Sequence, residues 1–147
     1  MQNVFQKYNA TKNYFPVPNA IYYLGLSSGE VAIYGYLLSL EDRKSYSCYP
    51  SYKTIGNAVR MSENTVRKYV GELVDKGLIT TEPTTIRAKN GRRMNGSLLY
   101  NIRPISEAVE LYHERQLQKL DATTARSRVK AEARKRGIEI SDVTEEV

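Results

Sequence analysis

Two short stretches of this 147-residue chain carry side chains able to hold a polyanion. In the first, Ser62 is followed closely by Asn64, Thr65, Arg67 and Lys68; in the second, Arg87, Lys89, Arg92 and Arg93 place four cations in seven positions with no acid among them. The distribution of charge points the same way. Residues 1–50 hold four basic and three acidic side chains, residues 51–103 hold ten and four, and residues 104–147 hold eight and nine. The whole net charge of +6 therefore sits in the middle third, as a local polyanion-binding surface requires.

Other chemistries lack their residues. Cys48 is the one cysteine and His113 the one histidine. A disulfide within the chain, a thiolate metal cluster and most Ser/His or Cys/His nucleophile pairs are thereby excluded. There is no glycine-rich phosphate loop and no metal-ligand spacing, so neither an enzyme nor a cofactor or small-molecule ligand is expected. Cys48 reads as an inert thiol and His113 as a helix-surface residue. The content of 41% hydrophobic and 26% charged residues is that of a soluble globular protein. The N-terminus lacks a secretory pattern and no apolar run is long enough for a bilayer, so the expected location is cytoplasmic.

The elements that must position these residues can be read from caps and spacing. Residues 1–15 are polar and form an arm. Phe15-Pro16-Val17-Pro18 is an extended entry, since each proline biases its predecessor toward β or polyproline conformations. A short helix spans 19–24 and closes at Gly25. Ser27 and Glu30 have the spacing of a capping box, with Glu30 reaching back to Ser27. The helix they open buries Val31, Tyr34, Leu37 and Leu38, with Ile33, Tyr36 and Leu40 widening the stripe. A polar loop occupies 45–50.

Ser51 caps a helix that runs to about Val59. Arg60-Met61 makes a turn, and Ser62 caps the next helix, which reaches Lys76 before Gly77. A strand at 78–86, a tip containing Asn90-Gly91 and a return strand at 98–102 form a hairpin. Pro104 opens a helical extension over 104–136, followed by an acidic tail over 137–147. Its apolar stripe runs over 105–120, and its basic run over 126–136 is either a solvated face or a second anion contact.

Two short helices crossing steeply need a small residue where they approach, and Gly56 supplies it. Ile55, Val59, Met61, Val66, Tyr69 or Val70, and Leu73 make a miniature core. With these turned inward, the outward face of the following helix keeps Glu63, Asn64, Thr65, Arg67 and Lys68 near its N-terminal half. Tyr34, Tyr36 and Tyr69 read as core or core-edge residues.

The quoted pattern resembles the winged helix-turn-helix family, including the subgroup at the front of plasmid and phage replication proteins and in mobile-element regulators. The residues that carry the resemblance are Ser62-x-x-Thr65-Val66-Arg67-Lys68, Leu73-Val74-Asp75-Lys76-Gly77-Leu78-Ile79, Val17-Pro18-Asn19-Ala20-Ile21 and Leu26-Ser27-Ser28-Gly29-Glu30. It covers about residues 15–103. One departure is Arg60, which stands at the inter-helix turn where the family often has glycine.

The resemblance implies a fold that is mainly α with a small β-hairpin, a winged helix-turn-helix over 16–103 followed by the helical extension. It implies binding of double-stranded DNA, with the helix over 62–76 in the major groove. Ser62 and the helix-start amides would hold a phosphate. Asn64, Thr65, Arg67 and Lys68 would contact base edges and phosphates, and Tyr52 and Lys53 would touch the backbone. Arg87, Lys89, Arg92 and Arg93 on the wing would lie along or in the minor groove. The role expected first is transcriptional regulation of a bacterial or mobile-element operon. Replication initiation or partition is the alternative within DNA binding, and a protein–protein docking module is the alternative outside it. The helix over 105–120 is the candidate element for a homodimer; its other use is to pack on its own chain.

Overall fold

The computed structural model describes residues 14–137, so the arm over 1–13 and most of the acidic tail lie outside the described residues. The chain forms two compact units, residues 1–111 and residues 112–147.

In the first unit a 3₁₀ turn, Asn19–Tyr23, leads to Gly25 in the left-handed region and then to helix α1, Ser28–Leu40. Ser27 caps α1 by accepting the Glu30 amide at 3.2 Å. Ile33, Tyr34, Leu37 and Leu38 of α1 are buried, whereas Leu40, expected to widen the stripe, is exposed at the helix end. After α1, the stretch expected to be a polar loop holds a two-residue strand β1, Ser47–Cys48. Ladder pairing to a strand about fifty positions away creates β1; two residues have no periodicity of their own. It also buries Cys48, whose Sγ donates to the Leu37 carbonyl at 3.6 Å.

Helix α2, Tyr52–Val59, and helix α3, Glu63–Asp75, carry the helix-turn-helix. Both start on serine caps: Ser51 accepts the Thr54 amide at 3.1 Å and Ser62 the Thr65 amide at 3.2 Å. Between them Arg60 adopts φ 60°, ψ 48°, the left-handed conformation that glycine takes at lower cost. The departure from the family pattern at this position is thus a real backbone constraint. The Met61 amide then donates to the Gly56 carbonyl at 2.9 Å, folding the turn back over α2. A Cβ on Gly56 would run into the Met61 carbonyl oxygen, so the close approach involves the turn's own backbone more than the partner helix. Ile55, Val66, Val70 and Leu73 are buried beneath the turn, and Val59, Met61 and Tyr69 are half-buried at its edge. Tyr69 lies against Gly29, joining α3 to the start of α1.

The hairpin is longer than expected and is broken in two. Strand β2, Ile79–Glu82, pairs antiparallel with β5, Leu99–Ile102, in the register Ile79↔Ile102 to Glu82↔Leu99. β5 lies between β1 and β2 in a three-stranded sheet. Beyond it, β3, Thr85–Arg87, pairs with β4, Arg93–Asn95, as a separate two-stranded ribbon. Two residues, Pro83 and Thr84, stand opposite three, Gly96, Ser97 and Leu98. The register therefore slips by one, and the return strand starts at Arg93, where the apolar pattern alone would begin it at Leu98. The Gly96 amide donates to the Thr84 carbonyl at 2.8 Å and holds the slip in place.

Helix α4, Ile105–Lys135, follows Arg103, whose guanidinium pairs with Glu107 at 2.7 Å. Its first turns bury Ala108 in the first unit. In the second unit the helix continues through Thr123 and Thr124, poor helix formers whose hydroxyls donate to the carbonyls of Lys119 and Leu120 at 2.9 and 3.0 Å. His113, Leu117 and Leu120 are exposed, and Gly137 at φ 70° follows the last turn. The fold is mainly helical with a small antiparallel hairpin, the winged helix-turn-helix arrangement.

Two glycines inside helices should respond to alanine with opposite signs. G56A should cost about 1–3 kcal/mol, because the methyl meets backbone that cannot yield. G71A, on the exposed side of α3 with open space around it, should stabilise by about 0.5–1 kcal/mol. Urea titrations of the two variants check this; equal effects would remove the turn contact as the reason for Gly56.

Candidate nucleic-acid interface

The position of α3 is set by a charge buried at its far end. Glu30, on the first turn of α1, is only 2% exposed. Its carboxylate accepts Lys76 Nζ at 2.7 and 2.9 Å, and Lys76 also donates to the Gly25 carbonyl at 3.3 Å. The expected capping box is thus half formed. Ser27 caps the Glu30 amide, but the Glu30 carboxylate takes the Ser27 hydroxyl and the lysine, with no bond back to the Ser27 amide. A cation 46 positions away outcompetes the local backbone donor, as a charge-assisted bond should. Burial pushes the Glu30 carboxyl up, and the bonds from Lys76 and Ser27 help to outweigh it, leaving the group below the ordinary carboxylate value. Glu72 moves the other way, raised by the neighbouring Glu30 carboxyl.

At its N-terminal end α3 presents the expected residues. Asn64, Arg67 and Lys68 are exposed and Thr65 is half-buried. Ser62 Oγ accepts the Thr65 amide and donates to Thr65 Oγ1 at 2.9 Å, so the hydroxyls of Ser62 and Thr65 are engaged with each other. The neighbouring amides at the helix start remain directed outward with the positive end of the helix dipole. Tyr52 is half-buried at the start of α2, and Lys53 beside it is exposed. The Arg67 guanidinium carbon lies 5.5 Å from the centre of the Tyr52 ring, a cation–π contact. The sequence carries no sign of that contact, because it joins residues on different helices. Arg60, at the turn, is exposed as well.

The wing carries the second group. At its tip the Ala88 amide donates to the Arg92 carbonyl and the Gly91 amide to the Ala88 carbonyl, both at 2.9 Å, while Asn90 Oδ1 accepts the Arg92 amide at 3.0 Å. Gly91 at φ 78° makes this tight turn possible. Arg87 and Arg93 are direct cross-strand partners, and Lys89 and Arg92 sit on the turn; all four are exposed. Because side chains alternate along a strand, Arg87 and Arg93 share one face of the ribbon. Ile86 and Met94, also cross-strand partners and about half exposed, share the other. Among the described residues none of Lys53, Arg67, Lys68, Arg87, Lys89, Arg92 or Arg93 makes an ion pair. The wing is tied to α3 through the Leu78 amide, which donates to the Leu73 carbonyl at 3.1 Å.

Among the described residues no group of side chains could hold a metal ion, and no helix is long and apolar enough to cross a membrane.

Residues 24–79 match the model of a family described as a helix-turn-helix domain, which spans α1, α2, α3 and the first residue of β2 and stops short of the wing tip. The match agrees with the helix-turn-helix that α2 and α3 form. No curated protein sequence matches the chain. Among solved structures it is similar to a possible transcriptional regulator from Methanosarcina mazei, at 13% identity and a TM-score of 0.49, covering 71% of this chain and 79% of that one. It is also similar to the S. aureus MepR–DNA complex, at 18% identity and 0.40, covering 92% and 91%. A third similar structure is the zinc-responsive MarR family member ZitR of Lactococcus lactis, at 13% and 0.40, covering 96% and 83%.

The Glu30 pair makes a pH-dependent contribution with a definite sign. A carboxyl held low in the folded state stabilises above its ordinary value, and that contribution is lost as pH falls through the lowered folded value. E30Q should therefore cost about 2–3 kcal/mol at pH 7, a little less than a fully enclosed pair because the Lys76 side chain is 29% exposed. It should also flatten the decline of Tm between neutral and acidic pH. Thermal unfolding at a series of pH values checks both; an E30Q profile parallel to the parent's would place the acid sensitivity elsewhere.

Proposed function

We propose that the chain is a sequence-specific double-stranded DNA-binding protein without enzymatic activity, a transcriptional regulator of a bacterial or mobile-element operon. In this reading α3 enters the major groove. Asn64, Arg67 and Lys68 reach base edges and phosphates, Ser62 and Thr65 shape the helix start against a phosphate, and Lys53 lies on the backbone. The wing places Arg87, Lys89, Arg92 and Arg93 on the adjacent backbone or minor groove. The observation that carries the reading is the helix-turn-helix with two groups of exposed cations, on α3 and on the wing, that make no ion pair among the described residues. A docking module would have no need to keep both groups exposed and out of ion pairs.

Tyr52 has a more specific part than a backbone contact. Its ring under Arg67 restricts the guanidinium and favours one orientation of its planar fork, which suits bidentate reading of guanine. About six neutralised phosphates should give a log–log salt slope near −5. R67A should lose about 1–3 kcal/mol of discrimination at one base pair while still binding random duplex. Y52L should lose part of the same discrimination, and Y52F, which keeps the ring, should keep it. Fluorescence anisotropy on selected and random duplexes tests all of this. Absence of duplex binding would leave the docking reading, and loss of affinity in Y52F on every sequence would make the hydroxyl a phosphate contact.

A single recognition helix buries little surface for tight specific binding, and symmetric operators call for two. We assign the second copy to the helix over 105–120, where Leu117 and Leu120 are each 61% exposed. The double variant L117E/L120E should sediment as a monomer where the parent is a dimer. A dimer that survives both changes would move the interface off this helix.

A further inference from the structure

The first unit contains a cavity, away from α3 and the wing, with a carboxyl group on its wall. It has a volume of about 650 Å³ and is walled by Pro16, Tyr34, Leu38, Glu41, Tyr46 and Ile105, with Arg103 at its rim. A second hollow of about 640 Å³ shares Pro16, Leu38, Glu41 and Tyr46 with it. Glu41 is the one acid lining either hollow. Its Oε2 is closed off from solvent and accepts no hydrogen bond, and the residue makes no ion pair among the described residues.

Glu41 is half-buried, so its other oxygen is the one a molecule in the cavity would reach, while the unpartnered Oε2 leaves the carboxyl short of hydrogen bonds and calls for an explanation. The two nearby cations do not supply one. Arg103 is held by Glu107 through two bonds of 2.7 and 3.0 Å, and Arg43 is exposed. Burial pushes the Glu41 carboxyl above its ordinary value, with Arg43 opposing only in part. The wall opposite the charge is aromatic and aliphatic. Over it stands Tyr46, a β-region residue by preference that here holds φ 55°. Its amide donates to the Asp42 carbonyl at 2.6 Å and its carbonyl accepts the Ile102 amide at 2.8 Å. Those two backbone bonds hold the left-handed turn, and the Tyr46 ring, 58% exposed, stays accessible beside the cavity.

We propose that this cavity is a binding site for a primary organic ammonium with an aromatic or aliphatic body. The ammonium donates to the Glu41 carboxylate, and the apolar body lies between Tyr34, Tyr46, Leu38 and Ile105. A cation satisfies the unpaired acid, whereas a neutral alcohol of the same shape leaves the charge uncompensated and a carboxylate ligand adds a second one. The size of the cavity suits a small ligand of this kind. The proposal is independent of DNA binding, since none of its residues lies on α3 or the wing.

The test uses the full chain at pH 7 with protonated 2-phenylethylamine, and with 2-phenylethanol and 3-phenylpropanoate as the neutral and anionic counterparts. Calorimetry should show saturable one-to-one binding of the amine and none of the other two. E41Q should weaken the amine by about tenfold or more. Amide chemical-shift changes on the unmodified protein should centre on Glu41, Tyr46 and Ile105, which keeps the test open if E41Q does not fold. The proposal is overturned if the amine fails to saturate below about 10 mM, if the alcohol binds as well as the amine, or if the shifts fall elsewhere.

Discussion

The geometry of the domain hangs on the ion pair between Glu30 and Lys76. α1 supplies the core and α3 supplies the outward face, and these helices meet at opposite ends: the N-terminus of α1 against the C-terminus of α3. Apolar packing alone would let α3 rotate or slide, since Val66, Val70 and Leu73 offer a smooth stripe. A lysine held by two carboxylate contacts and a backbone carbonyl fixes both the height and the rotation of the helix end. Tyr69 against Gly29 supplies the second point of contact on the same pair of helices. With one end pinned there and the other set by the turn at Arg60 and Met61, the exposed arc of α3 has little freedom. The pair is placed where it orients; a hydrophobic pair of the same volume could bind as strongly but would not specify a register.

The turn shows a related exchange of local comfort for position. Arg60 in the left-handed region is unfavourable for any residue with a Cβ, and Gly56 gives up helix propensity. Together they let the Met61 amide reach the Gly56 carbonyl and shorten the connection to three residues between the last of α2 and the first of α3. A longer turn would move Ser62, and with it the amides and the polar face that start α3. Arginine at this position also keeps a cation on the exposed side of the turn, which glycine would not.

Features governed by near neighbours along the chain are legible in the sequence itself. Ser27, Ser51 and Ser62 announce helix starts because a cap is a bond to the residue three positions on. Ile55, Val66, Val70 and Leu73 announce a buried stripe because helical geometry is fixed. With that stripe turned inward, Asn64, Arg67 and Lys68 have only the outer face left to occupy. What the sequence hides depends on partners far along the chain. Glu30 reads as a capping residue until Lys76 is seen beside it. Cys48 reads only as an inert thiol until its pairing with β5 is seen. The slip between Pro83-Thr84 and Gly96-Ser97-Leu98 has no signature in either strand alone, and it decides that the wing begins its return at Arg93. The contact of Arg67 with Tyr52 is hidden for the same reason.

That slip has a consequence for the wing's energetics. By extending the ribbon to Arg93 it sets two arginines directly across from each other on one face, a pairing that opposes the ribbon it belongs to. Like charges at this spacing are tolerated in solvent because water and salt screen them. A phosphate lying between them would turn the repulsion into a bridge, and the ribbon would gain order as it binds. The opposite face, with Ile86 and Met94, is about half exposed, so folding alone does little to justify either side. A two-stranded ribbon of three residues per strand is marginal in water without such help. In the proposed function the wing is an element completed by a polyanion, with α3 held beside it by the Glu30–Lys76 pair. Rigidity on one side and adaptability on the other fit a surface that reads sequence with the helix and shape with the ribbon.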